Sequence, residues 1–237
     1  MDAAYVYKEV RDALSYFPYE TPVYNLYASK LRTLLDKCSA EIASSALSGE
    51  TKDRFKAALG FAKHCQKTMT TRPTLAGAWI DEHGRQGICD SYLLVLYNTP
   101  YDGLPKADVP ERSTQTLRVD QIMPKDYNAS GILPDVQTLK AKVKAARLEY
   151  DGPIKRFHHY TILDFGGSSK IWLDTEMLIT AIECIGSHNF QYCTENTSET
   201  IRLVGKDCSA LLVPLHVKDG LDENNTLHKG IVSRRLN

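Results

Sequence analysis

The sequence lacks several features, and each absence narrows what the chain can be. No apolar run approaches the roughly 18 residues of a membrane-spanning helix, so no such span is expected. The amino terminus has no basic stretch followed by an apolar one, so no secretory signal is expected and the chain is placed in the cytoplasm. The cysteines, Cys38, Cys65, Cys89, Cys184, Cys193 and Cys208, include no CxxC pair and no cysteine–histidine array. They are expected to be reduced, half-buried thiols rather than metal ligands or disulfides. The glycosylation-like triplets at Asn128, Asn196 and Asn224 carry no weight without secretion. There is no HExxH, GxSxG, Walker loop or GxGxxG, so no catalytic residue and no cofactor is expected. Net charge is also lacking: 29 basic side chains balance 29 acidic ones, which excludes a chain that holds nucleic acid by bulk charge.

What is present is ordinary globular composition with uneven charge. The 237 residues, 43% apolar and 24% charged, suffice for a substantial core. Residues 52–72 hold six basic groups and one acid, and 137–156 hold six basic groups and two acids. Residues 73–136 and 173–224 are acidic by nine to five and nine to three. The basic charge falls on two segments with helical patterns. A neutral protein built this way can present one positive face to nucleic acid, or simply two solvated helix faces.

The organisation is helices first, then mixed α and β. Residues 1–50 are expected to be a helical extension, one helix over about 2–16 and a second carrying Leu31, Leu34, Leu35, Cys38 and Ile42. Six of the 13 tyrosines lie in the first 27 residues, which suggests packing against the body or an aromatic docking surface. A third helix is predicted from an N-cap at Thr51, with Phe55, Ala58, Leu59 and Ala62 on its apolar face. Strands are predicted over 74–81, 85–89 and 93–97, and the proline-rich 98–136 is expected to be a connection with little regular structure. A basic helix over 136–149 and strands at 160–165 and 170–173 follow. Asp174 or Thr175 caps a helix that Gly186 ends, with Leu178, Ala181, Ile182 and Ile185 on one side. Strands at 189–194, 200–204 and 210–217 come next, and 218–237 is expected to be a mobile polar tail. One helix followed by three strands thus occurs twice, which predicts a duplicated α+β unit with two helices on one face of a continuous sheet.

Certain motifs carry a family resemblance. Arg72-Pro73-Thr74-Leu75-Ala76-Gly77 opens a strand after an amphipathic helix, and Ile88-Cys89-Asp90-Ser91-Tyr92-Leu93-Leu94-Val95 follows. This pair resembles the R-P-x-L-x-G and T-D-G-x-R-L segments of the bacterial sliding clamp family, the beta subunit of DNA polymerase III. Cys89, Ser91 and Leu93 stand where the family has Thr, Gly and Arg. Ile171-Trp172-Leu173 with the helix after it, and Ala210-Leu211-Leu212-Val213-Pro214-Leu215-His216-Val217, resemble the last half-domain of a clamp and its closing strand. The resemblance covers roughly 52–101 and 170–217.

It implies a clamp-like α+β domain over 51–217, of which this chain has room for one, and a non-enzymatic role in DNA replication or repair. The implied partners are double-stranded DNA, held without sequence preference, short peptides of replication or repair proteins, and further copies of the chain. By resemblance, Lys52, Lys56, Lys63 and Lys67 are DNA-contact candidates. Lys140, Lys144 and Arg147 share a helical face and are added on spacing alone. The implied peptide pocket is Cys89, Tyr92, Leu93, Leu94, Leu211 and Val213. The alternatives are a clamp-fold scaffold or assembly protein of a phage or mobile element that binds proteins only, and an enzyme using Cys65 or Cys89 with a histidine. His158 and His159 are expected on opposite faces of a strand, and Asp164-Phe165-Gly166 is expected to be a strand end.

Overall fold

A computed structural model describes residues 3–15, 22–69, 71–107, 119–123, 126–150, 157–164, 170–193, 200–217 and 231–233. Two helices, α1 (Ala3–Ser15) and α2 (Pro22–Ala46), pack together and precede α3 (Gly49–Thr68). The cap of α3 is Ser48, not Thr51, which lies inside the first turn. Phe55, Ala58, Phe61, Ala62 and Cys65 form the buried face of α3, and Leu59 is only half-buried.

A 3-10 turn at Pro73–Leu75 leads into β1 (Ala78–Ile80), β2 (Gln86–Cys89) and β3 (Leu93–Tyr97), an antiparallel meander. After it come a single helical turn, α4 (Val119–Ile122), the strand β4 (Ala129–Ile132) and α5 (Val136–Glu149). The segment 98–136 is therefore not wholly irregular. Its strand was hard to foresee because β4 lies at the sheet edge, pairs on one side only, and buries none of its four residues.

The second unit begins with β5 (Tyr160–Asp164) and β6 (Lys170–Asp174), and then α6 (Thr175–Ile185). Two local signals frame α6. The Asp174 carboxylate accepts from the Glu176 and Met177 amides, and Gly186 closes the helix at φ 64°, a left-handed conformation that favours glycine. The strands β7 (Asn189–Tyr192), β8 (Ile201–Val204) and β9 (Cys208–Leu212) form the second meander. The apolar run 210–217 is not one strand. It breaks at Val213-Pro214, and β10 (Leu215–Val217) pairs instead with β6 and with β11 (Ile231–Ser233). Proline cannot donate to the ladder, so the chain changes sheets there. Within 218–237 the described residues are those of β11.

The result is α+β. A seven-stranded sheet runs β1-β2-β3-β9-β8-β7-β4, beside a four-stranded sheet β11-β10-β6-β5. The two meanders join back to back through β3 and β9, as a duplicated unit requires. Helices α3 and α6 lie side by side against one face of the larger sheet, and α5 flanks α6. Small residues allow the close approach: Ala58, Ala62 and Cys65 on α3, Ala181 and Cys184 on α6, all fully buried.

Cross-links fix this layer. The Tyr97 hydroxyl donates to the Cys184 carbonyl at 3.0 Å, and Arg54 reaches from α3 to Asp207 in the β8–β9 turn at 2.8 Å. No helix among the described residues is long and apolar enough to cross a membrane. Removing the α6 cap is expected to be felt globally. Asp174→Ala should lower stability by about 1 kcal/mol, seen as a lower urea midpoint with unchanged slope.

Candidate functional site

The larger sheet has two unlike faces. Side chains alternate along β3 and β9, so Leu93, Val95 and Tyr97, with Cys208, Ala210 and Leu212, point to the helices. Leu94, Leu96 and Leu211 point the other way and form a second, smaller apolar cluster with Leu75, Trp79, Cys89, Val119 and Val213. Met69, Ala107, Ile122 and Met123 pack against it. This outer face is where the motif segments meet. Leu94 sits directly opposite Leu211 in the β3–β9 register, and the Val213 amide donates to the Tyr92 carbonyl at 2.9 Å. Of the six pocket candidates, Cys89, Leu94, Leu211 and Val213 share this cluster, and Tyr92 borders it half-buried. Leu93 does not belong to it. Adjacent strand residues point to opposite faces, so Leu93 lies in the helix-side core.

Each motif residue has a local structural task. Gly77 has φ 144°, and a Cβ there would stand 2.7 Å from the Pro105 carbonyl oxygen, so this strand entry requires glycine. Leu75 is buried in the outer cluster. Arg72 Nη1 donates to Ser91 Oγ at 3.4 Å, so the two motif segments touch. Asp90 builds the β2–β3 turn. It is 6% exposed, and its Oδ1 accepts from the amides of Tyr92 at 3.0 Å and Leu93 at 2.9 Å. Burial pushes its carboxyl above the usual range, opposed by those two amides and by His64, whose Nε2 is 4.0 Å away. Ser91 sits in this turn with φ 81°, a left-handed conformation that suits glycine. Holding a serine there costs about 1–2 kcal/mol.

The helix side carries the basic candidates. At about 100° per residue, Lys52, Lys56, Lys63 and Lys67 fall within roughly 60° of one another on α3. Lys56 pairs with Asp53 at 3.4 Å. Lys63 faces Asp36 of α2, whose carboxyl is raised by burial and drawn back down by that lysine. On α5, Lys140 pairs with Glu183 at 2.6 Å, and Arg147 pairs with Glu176 at 2.8 Å while lying 5.2 Å from the Phe157 ring centre. Both acids belong to α6, which lies between the two basic helices. The positive stripes of α3 and α5 are therefore separated by an acidic one. Among the described residues Lys52, Lys67 and Lys144 form no ion pair.

The candidates for other chemistry are enclosed. Cys65 and Cys89 are fully buried; burial pushes the Cys89 thiol up to about 12 and the Cys65 thiol higher still. Such thiols stay protonated, the opposite of what a nucleophile needs. His159 is buried against Thr175 Oγ1 at 2.9 Å, whereas His158 is exposed and 3.4 Å from Asp174, so the pair does face opposite ways. Of Asp164-Phe165-Gly166, Asp164 ends β5 and the rest lies outside the described residues.

Sequence reasoning missed a surface cluster of Glu82, His83 and Asp120, whose ligand atoms lie within 4.8 Å of one another. Arg85 already contacts Asp120 at 2.9 Å, which makes this a charge-paired group rather than an open cation site. Also unforeseen was a groove of about 1100 Å³ between α2 and the β1 edge, where Tyr7 joins the lining while Tyr5 is exposed.

The sequence matches no family model, and no curated protein matches it. Solved structures that it resembles are bacterial sliding clamps. The Helicobacter pylori beta clamp bound to a DNA ligase peptide is 12% identical at a TM-score of 0.44, over 68% of this chain and 63% of that one. The Caulobacter crescentus (C. crescentus) clamp is 12% identical at 0.48, over 69% and 63%. The Streptococcus pyogenes beta subunit is 11% identical at 0.45, over 76% and 65%. The match thus spans under two thirds of the length of these proteins. The fold class rests on this chain's own strand order and helix placement.

The Asp90 turn yields two expectations. Asp90→Ala strips the acceptor from two amides and should cost about 1–3 kcal/mol, whereas Asp90→Asn keeps an acceptor there. Because the folded carboxyl is raised, the buried charge penalises the native state above the unfolded value of 3.8, and the penalty is complete above the raised value. The stability of Asp90→Asn relative to the parent should therefore grow as urea melts are taken from acid pH towards neutrality. Ser91→Gly should raise stability by about 1 kcal/mol, less whatever the Arg72 contact contributes.

Proposed function

We propose that the chain is a non-enzymatic, clamp-like tethering protein of DNA replication or repair, which holds partner proteins through the outer face of its larger sheet and touches DNA with α3. The observation that carries this is the meeting of the two motif segments in one apolar cluster, with Leu94 against Leu211 and Arg72 against Ser91. Leu94 and Leu211 are 117 positions apart and meet only because the fold pairs β3 with β9. An apolar cluster of this kind suits a short hydrophobic anchor once its cover is lifted. Domain limits follow the same reading: 1–50 as extension, 51–217 as the clamp-like body. DNA contact would be Coulombic and indifferent to sequence, through Lys52, Lys56, Lys63 and Lys67, with Lys144 of α5 nearby in role.

A second reading keeps the partner surface and drops DNA: a scaffold or assembly protein. It is favoured by the engagement of Lys140 and Arg147 with the acids of α6, which leaves α5 less charge to offer. Titration with a labelled duplex at several salt concentrations separates the two. For the tethering reading, affinity should fall steeply and linearly on a log–log plot of binding against salt. Lys56→Glu with Lys63→Glu should weaken it at least tenfold at low salt. Affinity that ignores both salt and these changes sinks the DNA contact and leaves the scaffold.

A further inference from the structure

The outer apolar cluster is covered in part by a short segment of the chain itself. Val119 is 3% exposed within the cluster, and Ile122 and Met123 pack beside it. They belong to α4, one helical turn that has no stability of its own in water. Its remaining hold is electrostatic. Asp120 accepts from Arg85 Nη2 at 2.9 Å and lies 2.9 Å from His83 Nε2, both on the β1–β2 hairpin. Asp120 and His83 are each about half exposed, and exposed pairs of this kind hold weakly.

Leu96 and Met123 of this cluster also line a cavity of about 210 Å³, with Arg85, Asn98, Arg202, Lys206 and Ser209 in its walls. Arg202 is half-buried in that wall, with its guanidinium carbon 5.9 Å from the Tyr127 ring centre. Three cationic side chains in one wall, Arg85, Arg202 and Lys206, suit a carboxylate.

We propose that residues 119–123 are a built-in occupant of the partner groove, displaced by a partner peptide carrying two or three apolar side chains followed by carboxylates. The inference rests on the partner-surface reading above. The chain's own segment states the first half of the ligand chemistry: an apolar residue, a carboxylate for Arg85 and His83, then two apolar residues. The cations of the neighbouring cavity state the second half. A partner wins over the internal segment because it adds the charge contact to Arg202 and Lys206 that residues 119–123 do not make.

The test uses the full chain and a labelled peptide, Val-Asp-Gln-Ile-Met-Asp-Asp, followed by fluorescence anisotropy. Val119→Asp with Ile122→Asp evicts the internal segment. If the groove is open in a tenth of native molecules, the variant should bind about tenfold tighter than the parent. Adding Arg202→Glu to it should cancel the gain conferred by the two terminal aspartates. Equal affinity of parent and variant overturns the internal-occupant proposal and leaves the partner surface standing. Binding by neither overturns the surface as well. Should the double variant fail to melt cooperatively, Asp120→Ala replaces it. That change frees Arg85 and His83 with little effect on apolar cover, and tighter peptide binding is again the supporting result and unchanged binding the overturning one.

Discussion

The rest of the structure depends on the pairing of β3 with β9. Five residue pairs, from Leu93 with Leu212 to Tyr97 with Cys208, join two three-stranded meanders into one sheet. The register also decides which side chains see which face. A slip of β3 by one residue would send Leu94 and Leu96 under the helices, and send Leu93, Val95 and Tyr97 outward. The outer cluster and the helix-side core are both consequences of this single alignment. The duplication explains why it forms: two similar units present equivalent edge strands, and antiparallel pairing of those edges removes both at once.

On the helix side, size and charge act together. Alanine and cysteine at the α3–α6 contact bring the helices close, and Phe55 and Tyr97 fill the space below them. The closeness has an electrostatic result. Helix α6 exposes Glu176 and Glu183 between two basic helices, and α5 leans its charges onto them. Its basic character, conspicuous in the sequence, is therefore partly spent within the fold. Whatever positive potential the face offers comes mainly from α3.

Much of this was legible locally. The helix 136–149 follows from its periodicity, and α6 from Asp174 and Gly186 at its two ends, because caps and wheel patterns are properties of neighbouring residues. What was not legible depended on distant partners. The run 210–217 is apolar throughout, and only the second sheet shows why it must divide at Pro214. Leu93 and Leu94 are both apolar and both fully buried, so no local pattern says which faces the helices. Lys140 and Glu183 lie 43 positions apart, and their contact depends on how α5 packs on α6. Residues 119–122 form too short a helix to leave any periodic trace.

The two faces of the larger sheet are also covered in different ways, and the proposed partner surface lies on the less firmly covered one. An apolar sheet face left bare is an aggregation hazard, so both faces must be covered. Helices α3 and α6 cover one, with α5 alongside α6, and are tied to the sheet by Arg54 with Asp207 and by Tyr97 with the Cys184 carbonyl. The other is covered by fragments: a 3-10 turn, the strap at 105–107 and one turn of helix. The strap is held by backbone bonds to Ala78, and among the described residues the helical turn is held to the rest of the fold by side chains. Fragments open at lower free energy than packed helices do, and binding surfaces are drawn from that end of the stability range. An apolar surface that must be hidden when unused, yet reachable when a partner arrives, belongs under the more easily lifted cover.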